Sequence, residues 1–551
     1  MKEMPRQPRA ARRQLWLERI DASLRAYGIE AAGDLAVEAL TEKVEHPAVL
    51  NLAASVSYRQ GRFEEAAQLL KRARALAPKD PNILNSLGVS LKALGRTTDA
   101  LQAYDAAVRA DPNMAAPNFN RGVVLEDLSD LRAARSAYEQ AATLDRNYPE
   151  PLARLAWLSA QAGDAESART YGKRTLSLAP SNMLARMALA FADLQQRDLA
   201  GAEARLAVLI QDPSLSPVNR SIVLGLIGDL RDAEGRPAEA FAAYEASNTE
   251  LRGLNAARFE TGEDTALGQV RRLAAWFDAT DPEPWHQPPP ARPRASDPKA
   301  HIFLVGFPRS GTTLLENVLA AHPDVVTLEE KGCLDVLAAS YLTSNEGMER
   351  LAGISSGEAL RQRDLYWSMV RKFGLEPRGR VFIDKMPLAS VQLPLVAKLF
   401  PDARVLFARR DPRDVVLSCF RRRFEMNPSM YELLTLSGAA AYYDGVMRLS
   451  EIYRASLPLP QHVVRYESLV DDFEGTARSV CRFLDLDWDE GLFDFANKAR
   501  SRGISTPSSA QVVRGLNREG QGTWRRYRAQ MAPVLPLLDP WVRLFDYEPS
   551  S

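Results

Sequence analysis

Residues 306–316 read Gly-Phe-Pro-Arg-Ser-Gly-Thr-Thr-Leu-Leu-Glu. Gly306 and Gly311 have the G-x-x-x-x-G spacing of a loop that wraps phosphate with backbone N–H groups. The next residue is Thr312, where a nucleotide hydrolase carries the lysine that reaches the β- and γ-phosphates, and Arg309 sits inside the loop. HIFLV before the loop has the composition of a buried strand, and TTLLENVLAA after it starts a helix with Leu314, Leu315, Val318 and Leu319 apolar. The stretch is therefore a strand-to-helix turn. Its N–H groups and the positive end of its helix hold an anion without a lysine, and Arg309 adds a planar bidentate donor.

From His301 onward short apolar runs alternate with longer helical ones. HIFLVGF, RVFIDKM, ARVLFARR and QHVVRYESL read as strands, and TTLLENVLAAH and LPLVAKLF as helices between them. That grammar predicts an α/β domain with a parallel sheet and helices on both faces. Ligands on such sheets lie beyond the carboxyl ends of the strands, where Lys385, Arg410 and Tyr466 fall. RVLFARRDPRDVVLSCFRRR at 404–423 holds seven arginines and two aspartates. In a chain with 70 basic and 70 acidic residues this clustering predicts a local anion site, and the zero net charge excludes a general nucleic-acid binder.

The first half follows a different rule. Ala54, Gly88, Gly122, Ala156 and Ala190 are 34 residues apart, and so are Ala66, Ala100, Ala134, Ala168 and Ala202; Gly228 and Ala240 each follow after 38. Small residues at fixed places let paired helices approach closely, with Leu87, Leu91, Tyr104 and Tyr138 filling the gap. The four-residue excess is expected in the loop LIQDPSLSPVNRS. The period resembles the tetratricopeptide repeat, which implies an all-α solenoid of about six units with a concave protein-binding surface.

The expected organisation is a helical N-terminal cap at 1–49, the repeat array at 50–252, a helical piece and proline-rich linker at 253–299, and the α/β domain at 300–551. The basic N-terminus lacks the apolar core of a secretory signal, and no run is long and apolar enough for a membrane span. Cys333, Cys419 and Cys481 are odd in number and far apart, which fits neither a disulfide framework nor a zinc site. A cytoplasmic location is expected.

PRSGTTLLE followed by AHPDV resembles the 5'-phosphosulfate loop of P-loop-like sulfotransferases that use 3'-phosphoadenosine 5'-phosphosulfate (PAPS). Its wording is similar to that of tyrosylprotein sulfotransferases and of bacterial sulfotransferases fused to tetratricopeptide repeats. The resemblance implies that Arg309, Ser310, Gly311, Thr312, Thr313 and Leu314 hold the phosphosulfate, with Arg309 also catalytic. It implies that Arg410 and Ser418, eight residues on, hold the 3'-phosphate with Arg422 beside them, while Arg413 pairs with a neighbouring acid. Tyr466 contacts the nucleotide in the family, Glu467 is expected to brace the strand end, and QVVRGLNREGQGTWRRY resembles a flap over the nucleotide that carries Arg514 and Trp524. Thr523 stands where the family has a lysine, leaving Arg518 or Arg525 to compensate. Lys385, in Asp384-Lys385 rather than Asn-Lys, corresponds to the lysine on the transferring sulfuryl group. Glu330, with Glu329 beside it, corresponds to the proposed base. Gly332 replaces a substrate-contacting arginine, a departure that bears on acceptor specificity. Of the five histidines, His322 and His462 are read as structural. No metal is implied.

The leading expectation is a PAPS-dependent sulfotransferase acting on a hydroxyl or amine of a protein, peptide or glycan recruited by the repeats, with a homodimer possible for both modules. The alternatives are a small-molecule or lipid acceptor, or a repeat scaffold whose nucleotide domain binds without turnover. A kinase is disfavoured by Thr312 and by Asp384 being the single candidate for holding Mg²⁺ after a strand.

Overall fold

The computed structural model describes residues 9–260, 265–287, 289, 297–502 and 515–549. They form two compact units. The first comprises the described residues up to Ala160 and Asp164–Ala192; the second comprises Gln161–Gly163 and the described residues from Asp193 on.

An N-terminal helical segment, Arg9–Thr41, is two helices meeting at Gly28, whose φ of 85° no helix accommodates. Helices then alternate from Pro47–Arg59 through Pro237–Phe259 at the expected period. The repeat rests on a size exchange between residues 16 apart. A Cβ on Gly88 or Gly122 would lie 2.5 Å from the ring of Tyr104 or Tyr138, and one on Gly228 would lie 2.4 Å from that of Tyr244. Where the first position is Ala54, the partner position is Leu70 and both are buried in one core. The four-residue excess is not in the loop: Pro217–Ala233 has 17 residues where Pro81–Ala93 has 13, so it extends the helix by about one turn before Gly228. Pro217 at its first turn and the Ser216 hydroxyl accepting from Asn219 N–H start the helix there.

In the second unit five parallel strands, β1 (Ala300–Gly306), β2 (Val325–Glu329), β3 (Val381–Lys385), β4 (Arg404–Arg409) and β5 (Gln461–Arg465), are ordered β2-β3-β1-β4-β5. The strand β2 is additional to the four strands expected from the sequence. Its β-branched Val325, Val326 and Thr327 pair with β3 in a register that sets Glu329 beside Lys385. The order reverses at β1, so the loop after Gly306 opens between β3 and β4, the usual ligand crevice of such sheets.

The region expected as helical piece and linker contributes to this unit's core. The helix Ala266–Ala279 packs on Leu436–Ser456, with Phe277 4.9 Å from Tyr453 and stacked 5.2 Å from the fully buried Trp285. Three large aromatic side chains, Trp276 and Phe277 at the end of the helix and Trp285 among the prolines, gain more by burial than a spacer loses by ordering. The last helical hairpin belongs to the same unit: Asn248 donates to the Phe420 carbonyl at 2.9 Å, Phe241 stacks on Phe420, and Arg421 and Tyr527 both reach Asp232.

Candidate active site

Five carbonyls of the loop after β1 have donors. Ser390 Oγ donates to Gly306, Ser310 N–H to Phe307, Cys419 Sγ to Pro308, Arg410 to Arg309 and Leu315 N–H to Gly311. The helix Thr312–Leu319 starts directly after the loop. Two backbone conformations shape the turn. Gly311 has φ 100°, and a Cβ there would lie 2.8 Å from the Tyr466 ring; Arg309 is itself left-handed at φ 69°. A non-glycine residue in that region is strained, and such strain collects at functional sites.

Three arginines meet here. Arg309 Nε donates to Ser418 Oγ at 3.0 Å, and Arg410 donates to the Arg309 carbonyl at 3.0 Å while lying 4.8 Å over the Tyr466 ring. Its other terminal nitrogen bonds the Gly520 carbonyl. Burial, then the neighbouring charges of Arg422 and Arg410, push the Arg309 guanidinium down to about 9. Like charges gathered in a dry place, with neutral carbonyls and a hydroxyl as their near partners, favour an anion. The buried Nε of Arg410 and Oγ of Ser310 have no partner, which fits a group rich in acceptor oxygens.

One strand away the charges reverse. Lys385 ends β3 wholly buried, with its ammonium 2.6 Å from Glu330, 3.5 Å from Glu316 and 3.8 Å from Glu329. Burial alone would lower its pKa, but the carboxylates outweigh burial and hold the lysine well above its ordinary value. Glu330 lies just past β2 with φ 46°, and its N–H donates to the Lys385 carbonyl at 2.8 Å. Its side chain is 34% exposed, so it borders both the buried ammonium and solvent. Behind the sheet Asp384 accepts from Tyr366 at 2.7 Å, and His301 Nε2 is 3.0 Å from the same hydroxyl. Burial pushes the Asp384 carboxyl up to about 6 and the His301 imidazole down to about 3.

The matching family model, the sulfotransferase family, covers residues 301–490, and tetratricopeptide-repeat models match residues 9–81, 57–118 and 119–183. Protein-tyrosine sulfotransferase 1 of Danio rerio is 31% identical over 268 residues, which are 43% of this chain and 71% of that protein. The chain belongs to the sulfotransferase family. The protein-tyrosine sulfotransferase of Drosophila melanogaster is 30% identical over 45% of this sulfotransferase, and an uncharacterised protein of Aquifex aeolicus is 25% identical over 44%. The matches span 53% and 33% of those two relatives' own lengths.

Within the sulfotransferase domain, Arg309, Ser310, Gly311, Thr312, Thr313, Leu314, Arg410, Ser418 and Tyr466 gather at the ends of β1, β4 and β5, and Glu330 with Lys385 at the ends of β2 and β3. The remaining predicted residues are dispersed. Arg422 lies 3.8 Å from Asp229 of the last hairpin, although it still acts on Arg309. Arg518, 73% exposed, pairs with Asp471, and Arg525 with Glu548. Trp524 is buried under Arg413, 4.1 Å from its guanidinium, rather than open to a ligand; Arg413 is held by Asp411, as expected. Arg514 lies outside the described residues. Glu467 accepts from Asp411 N–H and from Tyr547, bracing the end of β5. His322 and His462 are structural: the first bonds the Asp487 carbonyl, and the second stacks on Phe483.

Two residues escaped the sequence reading. Glu316 had a signal, a carboxylate between Leu315 and Val318 in a helix whose every residue is buried. Asp414 accepts from Gly522 and Trp524 N–H, so it anchors the flap-like segment to the helix Pro412–Phe420; burial pushes it up to about 6 against the pull of Arg410 and those hydrogen bonds.

Proposed function

We propose that this sulfotransferase transfers the sulfuryl group of PAPS to a hydroxyl or amine of an acceptor, with a protein, peptide or glycan recruited by the repeats as the favoured class. The supporting observation is the split site: an arginine-lined loop suited to an anion next to a lysine–carboxylate pair suited to a proton. Arg309, the Ser310 hydroxyl and the N–H groups of Gly311–Leu314 hold the phosphosulfate, and Arg410 and Ser418 the 3'-phosphate. The donor supplies a sulfur centre whose bond to the 5'-phosphate oxygen breaks as the acceptor's bond forms. Glu330 accepts the acceptor's proton, and Lys385 stabilises charge growing on the sulfuryl and bridging oxygens. Such transfer rests on positioning and electrostatics, which these fixed groups provide. Three buried free cysteines support a reducing, cytoplasmic setting.

Calorimetric titration with 3'-phosphoadenosine 5'-phosphate (PAP), with ADP and Mg-ATP as controls, tests the donor site. Binding that requires the 3'-phosphate, together with turnover of PAPS that Lys385→Met and Glu330→Gln abolish while keeping PAP affinity, supports the proposal. Equal or tighter binding of Mg-ATP refutes it.

A further inference from the structure

Glu316 has no role in the chemistry described so far, yet its position demands one. It lies in the helix that begins at the anion loop, every residue of which is buried, and its own side chain is 0% exposed. A carboxylate in such a place is costly unless its charge is matched. Thr327 Oγ1, on β2, donates to Glu316 Oε1 at 2.9 Å, and Lys385 Nζ lies 3.5 Å from Oε2. The loop helix, β2 and β3 thus meet at one ammonium. Its three carboxylates differ in access to solvent: Glu330 is 34% exposed, Glu329 19% and Glu316 dry. Asp384, adjacent in sequence, is engaged by Tyr366.

We infer that Glu316 is a positioning residue for sulfuryl transfer, the fixed counterion that keeps Lys385 charged and aimed while Glu330 is neutralised by the acceptor's proton. The inference rests on the proposed function and adds a division of labour to it. When Glu330 takes up the proton, the O–H bond of the acceptor breaks, an O–H bond forms on the carboxyl, and the tightest partner of Lys385 becomes neutral. Burial would then press the ammonium to release its own proton into the site, just when a cation is needed beside the leaving oxygen. Glu316 cannot be reached by the acceptor and keeps its charge. Its hydrogen bond from Thr327 fixes which oxygen faces Lys385. The upward displacement of the Lys385 pKa, to which Glu316 contributes after Glu330, agrees with this arrangement.

The test uses the full-length chain and Glu316→Gln, which keeps the shape and the acceptor for Thr327 while removing the charge. PAP released from PAPS is followed with water and with N-acetyltyrosinamide as acceptors, across pH 6–10. The expected result is PAP affinity within about threefold of wild type, kcat lower by about 100-fold, and a kcat that falls toward pH 10 where that of wild type stays level, because Lys385 has lost a carboxylate. Thr327→Val, which leaves the charge but removes the hydrogen bond to Oε1, should lower kcat by about tenfold with the wild-type pH profile. A folded Glu316→Gln protein with wild-type kcat and the wild-type pH profile overturns the inference. If Glu316→Gln does not fold, wild-type kcat in Thr327→Val overturns it instead. A wild-type chain that binds PAPS and releases PAP to neither acceptor overturns the transfer reading itself, before any variant is compared.

Discussion

Asp232 joins the last helical hairpin to the α/β domain, and its removal should be costly. The carboxylate accepts from Tyr527 at 2.7 Å, pairs with Arg526 at 3.1 Å and is bonded by Arg421, whose side chain is only 12% exposed. Asp232→Ala strands that guanidinium. Losing one partner of a buried pair costs about 3–5 kcal/mol. Two rings, Tyr244 and Tyr527, each 5.1 Å from Arg421, stay in place and soften the loss. We therefore expect ~3 kcal/mol, the low end, which corresponds to about 4 °C in the Tm of the second unit. The pH dependence has a definite sign. Burial raises the Asp232 pKa, but Arg421, the Tyr527 hydroxyl and Arg526 lower it more, so the folded value lies below the ordinary one. Its contribution is present above the ordinary carboxylate range and is lost as pH falls through the folded value, so wild type and variant should converge in acid. Scanning calorimetry of Asp232→Ala, Arg421→Ala and the double variant gives the coupling. A shift under 1 °C, or additive single effects, would refute a hub at Asp232.

Three further outcomes follow from the geometry. Arg410→Ala removes a cation that touches the loop, Tyr466 and Gly520, and PAP affinity should fall about 100-fold with the preference over ADP lost, as read by calorimetry. Gly88→Ala drives a methyl into Tyr104 and should cost about 1–3 kcal/mol in urea unfolding, whereas Gly88→Ala with Tyr104→Leu copies the Ala54–Leu70 pairing and should recover most of it. For Asp384, raised to about 6 by burial, the folded state keeps a proton that the unfolded chain releases, so this group removes stability as pH rises from about 4 through 6. Asp384→Asn should flatten that slope in chemical unfolding; an unchanged slope would show that the titration belongs elsewhere.

The sequence was most legible where a period or a turn imposes residue type. The 34-residue step needs small residues facing large ones, and the loop 306–311 needs glycine at φ 100°, so both showed in the letters. Strand β2 was hidden because five residues, VVTLE, give too short a run for alternation, and the adjacent Glu329 and Glu330 are of a type usual in solvated turns. The arginine run shows a second limit. Seven arginines looked like one anion site, yet the helix Pro412–Phe420 ends at Phe420, and Arg421 and Arg423 bond Asp232 and Ser221 of the last hairpin. Composition counts charges; only the fold says which way each one leaves the backbone.

The same sheet explains how a chain of zero net charge keeps two opposite environments only about 10 Å apart, two strand spacings. Strand β1 pairs with β3 and β4, so groups ending those two strands are separated by a single strand. Arg410 follows β4 and is held by carbonyls, which orient it without neutralising it, so its charge remains available to an anion. Lys385 ends β3 among carboxylates, which neutralise it and make the surroundings a proton acceptor. The two carboxylates that do follow β4 are engaged elsewhere, Asp411 by Arg413 and Asp414 by the N–H groups of Gly522 and Trp524. The strand order keeps the two environments apart, and the loop from β1, whose helix carries Glu316, is the element that touches both sides. Substitutions are therefore expected to separate the two functions: Arg309 in the loop should change donor binding, and Glu316 in the helix that follows should change proton transfer.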